Sequence, residues 1–115
     1  MTKSEAIAGH RAMWNLIAKM IADGKHYKDA YTYKCEALKI LGIKENLYAL
    51  CFCCEYDSQK DSYSCNENCI IKWSNTNCDD SEYHRFGCYL LGENWKLAAK
   101  LAQIIANLPE REGVE

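Results

Sequence analysis

Apolar residues along the first part of the chain recur at helical rather than strand spacing. Ile7, Trp14, Ile17 and Ile21 mark one face, Leu16 and Met20 widen it, and Ser4 with Glu5 opens a segment that Asp23-Gly24 closes. That spacing predicts a helix over about residues 4 to 23. Tyr27, Tyr31, Cys35, Leu38 and Leu41 repeat the period until Gly42, a natural left-handed stop, and predict a second helix over about 28 to 41. After residue 80 the pattern returns. Ser81 and Glu82 open a short helix carrying Tyr83, Phe86, Leu90 and Leu91, and Gly92 breaks it. Asn94 then caps a last helix whose apolar face is Trp95, Leu97, Ala98, Leu101, Ile104, Ile105 and Leu108. Pro109 ends that helix, and residues 110–115 read as a frayed tail.

Between Glu55 and Asp80 the helical period gives way to Ser, Asn, Asp and Lys with scattered Cys and Tyr, the composition of loops that need an organiser of their own. The expected fold is therefore mainly α: three to four helices around a small core, with a metal-organised, loop-rich insertion at about residues 50–80. One domain over residues 1–109 accommodates all of it, and no internal repeat or heptad array is present.

Composition sharpens this picture. A single Val and three Thr beside twelve Ala disfavour strands. Leu, Ile, Val and Phe together number 22 of 115 residues, a thin aliphatic supply, so the core needs a supplement. The net charge is −2, and Lys72 with Trp73 stands among Asp57, Asp61, Asp79, Asp80 and Glu82, so a phosphate backbone is not the expected partner. His10, Arg11, Asn15 and Lys19 interrupt the apolar stretch from Ala6 to Ala22, which lacks the pattern of a signal peptide. No window approaches the roughly 18 to 20 apolar residues of a membrane span. A cytoplasmic location is expected, where thiols stay reduced and clustered cysteines point to metal before disulfides.

The chain has eight cysteines, and seven of them lie between Cys51 and Cys88. Cys51-x-x-Cys54 is followed by Cys65-x-x-x-Cys69 and then by Cys78. Two close pairs separated by a loop can converge four thiolates on one zinc ion at about 2.3 Å. Five cysteines compete for four places: Cys51 and Cys54 come first, Cys69 next, then Cys78 or Cys65. A structural Zn2+ is the expected cofactor, although four thiolates also suit an iron–sulfur cluster and an even count also permits disulfides. Structural zinc binding is worth on the order of 10 kcal/mol against a total domain stability of about 5 to 15 kcal/mol, so its loss should melt at least residues 50–80.

The remaining candidates read as structural. Cys53 between two ligands is expected to face the core, and Cys35 and Cys88 to be small buried hydrophobes. His84 reads as a surface or packing residue that could replace a thiolate, and His10 and His26 carry no companion pattern. No His-x-Glu or His-Glu-x-x-His motif is present. The deaminase signature is missing too, because Leu50 precedes Cys51 and Pro109 is the chain's single proline. The glycines are scattered as stops and bends rather than gathered in a phosphate loop. The sequence predicts no enzyme. Tyr31, Tyr33, Tyr56 and Tyr63 cannot all enter a core this small, which leaves rigid amphipathic side chains for a protein interface.

Cys51-Phe52-Cys53-Cys54-Glu55-Tyr56, Cys69-Ile70-Ile71-Lys72-Trp73, Cys78 and the closing Leu-Ala-Ala-Lys-Leu-Ala-Gln-Ile-Ile-Ala-Asn-Leu-Pro together resemble small cysteine-rich proteins of phages and prophages of Gram-positive bacteria. The resemblance runs from Trp14 to Pro109. It implies metal binding through Cys51, Cys54, Cys69 and Cys78 and implies no activity. Those proteins have a tighter second pair followed by Pro, where this chain has Ile70, which leaves the role of Cys65 open. Accessory proteins of this kind often bind and disable host enzymes, defence systems included. The expected function is thus a non-enzymatic interaction protein with a structural zinc, acting as an inhibitor of a bacterial immune effector. A zinc-containing nucleic-acid or transcription accessory factor is the alternative, and a small metal-dependent enzyme the second alternative.

Overall fold

The computed structural model describes residues 1–43, 51–58, 69–74 and 81–111. The described residues form four long helices and one short one: α1 (Lys3–Ala22), α2 (Ala30–Ile40), α3 (Phe52–Ser58), α4 (Glu82–Leu91) and α5 (Trp95–Ala106). The mainly α expectation holds, and the four long helices fall where the apolar period places them.

Local chemistry sets their ends. The Thr2 side chain accepts from the Glu5 backbone N–H while the Glu5 carboxylate accepts from that of Thr2, a complete capping box two residues earlier than Ser4 would give. That bonding holds the Glu5 carboxyl below its ordinary pKa, because the donors favour the ionised form. Asp29 accepts from both the backbone N–H and the hydroxyl of Thr32 at the start of α2, and Asn94 accepts from the Leu97 N–H at the start of α5. Gly24, at φ +98°, turns the chain out of α1 in a conformation costly to other residues. After α4 that left-handed position falls to Glu93 rather than to Gly92.

Helix α1 is the centre of the packing and meets α5, α3 and α2. Ile7, Met13, Trp14, Ile17 and Ile21 on its inner face are buried, together with Ala98, Leu101, Ala102, Ile105 and Ala106 of α5, whose alanines let the two helices approach closely. Aromatic side chains tie in the other helices. The Trp14 ring stands edge-on to Phe86 at 5.1 Å and to Tyr83 at 5.9 Å, both from α4. The fully buried Tyr33 of α2 reaches Phe86 on the other side; its hydroxyl donates to the Lys25 carbonyl and accepts from the Tyr27 N–H, fixing the turn between α1 and α2.

Several sequence expectations are corrected. The apolar faces of the helices are narrower than the period suggests, since Leu91 is 71% exposed and Leu97 and Ile104 lie partly in solvent. On α2, Lys34 is buried with its ammonium 4.3 Å from the Tyr83 ring centre, while Cys35, placed in the core by its spacing, is half-buried. Cys88, expected in the core, is exposed, because Phe86 and Leu90 turn inward and leave Cys88 and Leu91 on the outer face of α4.

The insertion is more regular than expected where it is described. Residues 52–58 form α3 rather than a loop. The segment 69–74 lies against the end of α5: the Lys72 N–H donates to the Pro109 carbonyl and the Arg111 N–H to the Ile70 carbonyl, an antiparallel bridge between Ile71 and Glu110. Glu110 and Arg111, expected in a frayed tail, are thereby held. Ile70, Ile71 and Trp73 are buried behind the bridge, and the Ser74 N–H donates to the buried Glu82 carboxylate at the start of α4.

Gly9, expected at a stop or bend, lies inside α1, and it decides how α3 docks. A methyl group there would fall within 2.7 Å of Cγ in the buried Phe52 ring. Overpacking of that kind costs about 1 to 3 kcal/mol, whereas replacing a helix-interior glycine by alanine recovers about 0.5 to 1 kcal/mol, so the clash prevails. Gly9→Ala should therefore lose about 1 to 2 kcal/mol of unfolding free energy in urea, and an unchanged or raised midpoint would refute the close approach.

Candidate metal centre

The Gly9–Phe52 contact brings the start of α3 against α1, next to the following α1 residue, His10. Cys51 precedes α3 and is half-buried; Cys53, one residue into it, is fully buried, as its expected core position requires. From the other side the bridge to Glu110, beyond the end of α5, holds the segment that begins with Cys69, also buried. The structure brings these three sulfurs together. The Cys53 thiol hydrogen-bonds with Cys51 and Cys69, and these bonds, reinforced by burial, hold it protonated well above the ordinary thiol range. Cys69 is shifted the other way. It receives the Cys53 hydrogen bond, and the Ile71 backbone and Trp73 indole further favour its thiolate against the opposing effect of burial. Of these two, Cys53 is thus the more firmly protonated thiol and Cys69 the one shifted toward thiolate.

Of the expected ligands, Cys51 and Cys69 meet in this cluster. Cys54 lies on α3, its side chain is outside the described residues, and Cys65 and Cys78 lie outside them altogether. Cys35, Cys51, Cys53, Cys69 and Cys88 carry thiols rather than disulfides. Among the described residues no group of three or more His, Cys, Asp or Glu side chains stands ready-made around a metal position. The donor chemistry nevertheless suits a soft divalent ion, being thiol-rich, dry and accompanied by one unsatisfied nitrogen.

That nitrogen belongs to His10. Its ring is completely buried, and Nε2 lies 3.0 Å from the Ile105 carbonyl. A carbonyl only accepts, so Nε2 carries the proton and Nδ1 presents a bare lone pair. Nδ1 has no hydrogen-bond partner. Burial depresses the His10 pKa, the Cys51 sulfur opposes that shift, and the ring stays neutral at ordinary pH. The Trp73 ring stands edge-on to it at 6.1 Å, and the indole Nε1 is likewise buried without a regular hydrogen bond, although its N–H dipole still favours the Cys69 thiolate. Sequence spacing missed His10, which lies about forty residues before the first cysteine pair. The available signal was its place on the inner stripe of α1, three residues after Ile7 and four before Trp14, where a polar side chain must be buried.

A second thiol–imidazole pair lies in the open. Cys88 Sγ and His84 Nε2 are 3.6 Å apart, one turn from each other on α4, in a depression of about 430 Å³ that Asp29, Tyr83 and Leu91 also line. Both side chains are exposed.

Neither a protein-family model, nor a curated protein, nor a solved structure matches this chain. No described helix is long and apolar enough to cross a membrane.

Accessibility sorts the thiols. Brief treatment of the folded protein with iodoacetamide, followed by peptide mapping, should label Cys88 first and leave Cys53 and Cys69 unmodified until unfolding. Early labelling of Cys53 would refute its place in the core.

Proposed function

We propose that this chain is a non-enzymatic interaction protein whose middle segment is held by a structural zinc ion, and that it acts by binding a bacterial protein. The observation that carries the zinc reading is the meeting of cysteine sulfurs from two separate segments, the half-buried Cys51 and buried Cys53 from one and the buried Cys69 from the other. Cys54, Cys65 and Cys78 complete the set of expected thiolates. The aliphatic supply is thin, so a metal link here adds stability that the core lacks.

Binding to protein rather than nucleic acid is supported by the net charge of −2 and by the exposed Tyr31, 68% accessible, and Leu91 on the helical surface. The likeness to phage accessory proteins points to a bacterial immune effector as the target and to inhibition as the effect. Surface apolar residues of this kind favour a protein partner over catalysis.

Native mass spectrometry with elemental analysis tests the staple. One zinc per chain, lost on strong chelation together with helical circular dichroism, is expected. A metal-free chain lighter by about 2 Da per cysteine pair would overturn it in favour of disulfides. Heparin chromatography tests the class of partner: the protein should pass unretained at low salt, and retention that falls steeply with salt would favour the nucleic-acid alternative.

A further inference from the structure

We propose that the depression beside Cys88 is a site of covalent thiol modification, in which a low-molecular-weight disulfide docks and Cys88, assisted by His84, forms a mixed disulfide with half of it. The site is separate from the buried sulfur cluster and stands independently of the zinc reading.

A glycine opens the space. Gly87 lies inside α4, where glycine costs about 0.5 to 1 kcal/mol relative to alanine. Its φ is not positive, and a Cβ there would meet nothing within 4 Å, so neither the backbone nor the packing requires the side chain to be missing. What its absence leaves is room: Gly87 lines the depression of about 430 Å³ together with His84 and Cys88. Tyr83 and Leu91 give that depression apolar walls. Lys28 and Asp29 bring one positive and one negative charge to it, complementary to the carboxylate and ammonium groups of an amino-acid-derived thiol.

The reactive pair stands in the same depression. Cys88 Sγ lies 3.6 Å from His84 Nε2, within hydrogen-bond reach for a sulfur atom, and the four-residue spacing keeps both on one face of α4. A thiol beside an imidazole is arranged for nucleophilic attack, because the ring nitrogen accepts the proton that the sulfur must lose. The Cys88 sulfur attacks one sulfur of the docked disulfide as its proton passes to His84 Nε2. The new S–S bond forms, the old one breaks, and the departing thiolate takes the proton from His84 and leaves as a free thiol. Cys88 is oxidised to the mixed disulfide and the departing half is reduced, so the small disulfide is the sole oxidant the step consumes.

Oxidised glutathione serves as the probe, incubated with the full chain and followed by peptide mapping. Iodoacetamide, too small to need the depression, measures the bare reactivity of Cys88 in parallel. A glutathionyl adduct at Cys88, formed ahead of any at the half-buried Cys35, is expected. His84→Ala should slow both reagents about tenfold, less than in enclosed sites because water reaches this pair. Gly87→Phe, which fills the depression, should slow the adduct severalfold and leave iodoacetamide labelling unchanged. Neither change touches the core, so both variants should keep the helical circular dichroism of the wild type. A first adduct at another cysteine, a His84→Ala chain as reactive as the wild type, or an equal response of the two reagents to Gly87→Phe would each overturn the proposal.

Discussion

One close approach governs the arrangement of this molecule: α3 lies against α1 where Gly9 presents no side chain, and the Phe52 ring occupies that space. A seven-residue helix has too few turns to be stable by itself. Its docking therefore depends on burial, and burial of Phe52 depends on the missing methyl. Cys51, Cys53 and the neighbouring His10 are brought together by that same contact, so the packing of the core and the chemistry of the cluster share a single steric condition. The bridge between Ile71 and Glu110 supplies the other half by setting Cys69 and Trp73 beside them.

The interior formed this way is unusual for so small a chain. Trp14, Tyr33 and Phe86 fill the side shared by α1, α2 and α4 with aromatic contacts, whereas the side shared by α1, α3 and the 69–74 segment holds thiols, an imidazole and an indole. Two buried nitrogens on that second side, His10 Nδ1 and Trp73 Nε1, lack hydrogen-bond partners. Unpaired buried groups of this kind weaken a fold, and here the two rings that carry them stand edge-on to each other. Within the cluster Cys53 is held protonated by its neighbours and by burial, while Cys69 is shifted toward its thiolate.

Much of the fold was legible because helical periodicity, capping residues and glycine stops are local. Asp23-Gly24, Gly42 and Asn94 mark helix ends in the sequence and do so in the structure. What escaped depends on partners distant in the chain. Gly9 reads as a bend until Phe52 is placed beside it, and α3 is too short to show a period. Cys88 follows an apolar residue by two and looks like core, yet the 100° step of the helix turns it to solvent once Phe86 and Leu90 face inward. The cysteine spacing names Cys51 and Cys69 together, and the two do come close, whereas the burial of His10 is visible only in its position on the inner stripe of α1.

The placement of the thiols along the chain decides which links between them could hold the fold together. Cys88 and His84 are one turn apart on α4, so a link between them closes no loop and restrains nothing the helix does not already fix. A link between Cys51 and Cys69 would instead close a loop of roughly 18 residues and join the start of α3 to the segment held by the Ile71–Glu110 bridge. Because loop-closure entropy grows by only about 0.6 kcal/mol per doubling of length, the value of such a link lies less in its loop than in what it joins: two short pieces of the aliphatic-poor middle that otherwise reach the core separately, one through Phe52 on α1 and one through the strand pairing beyond α5.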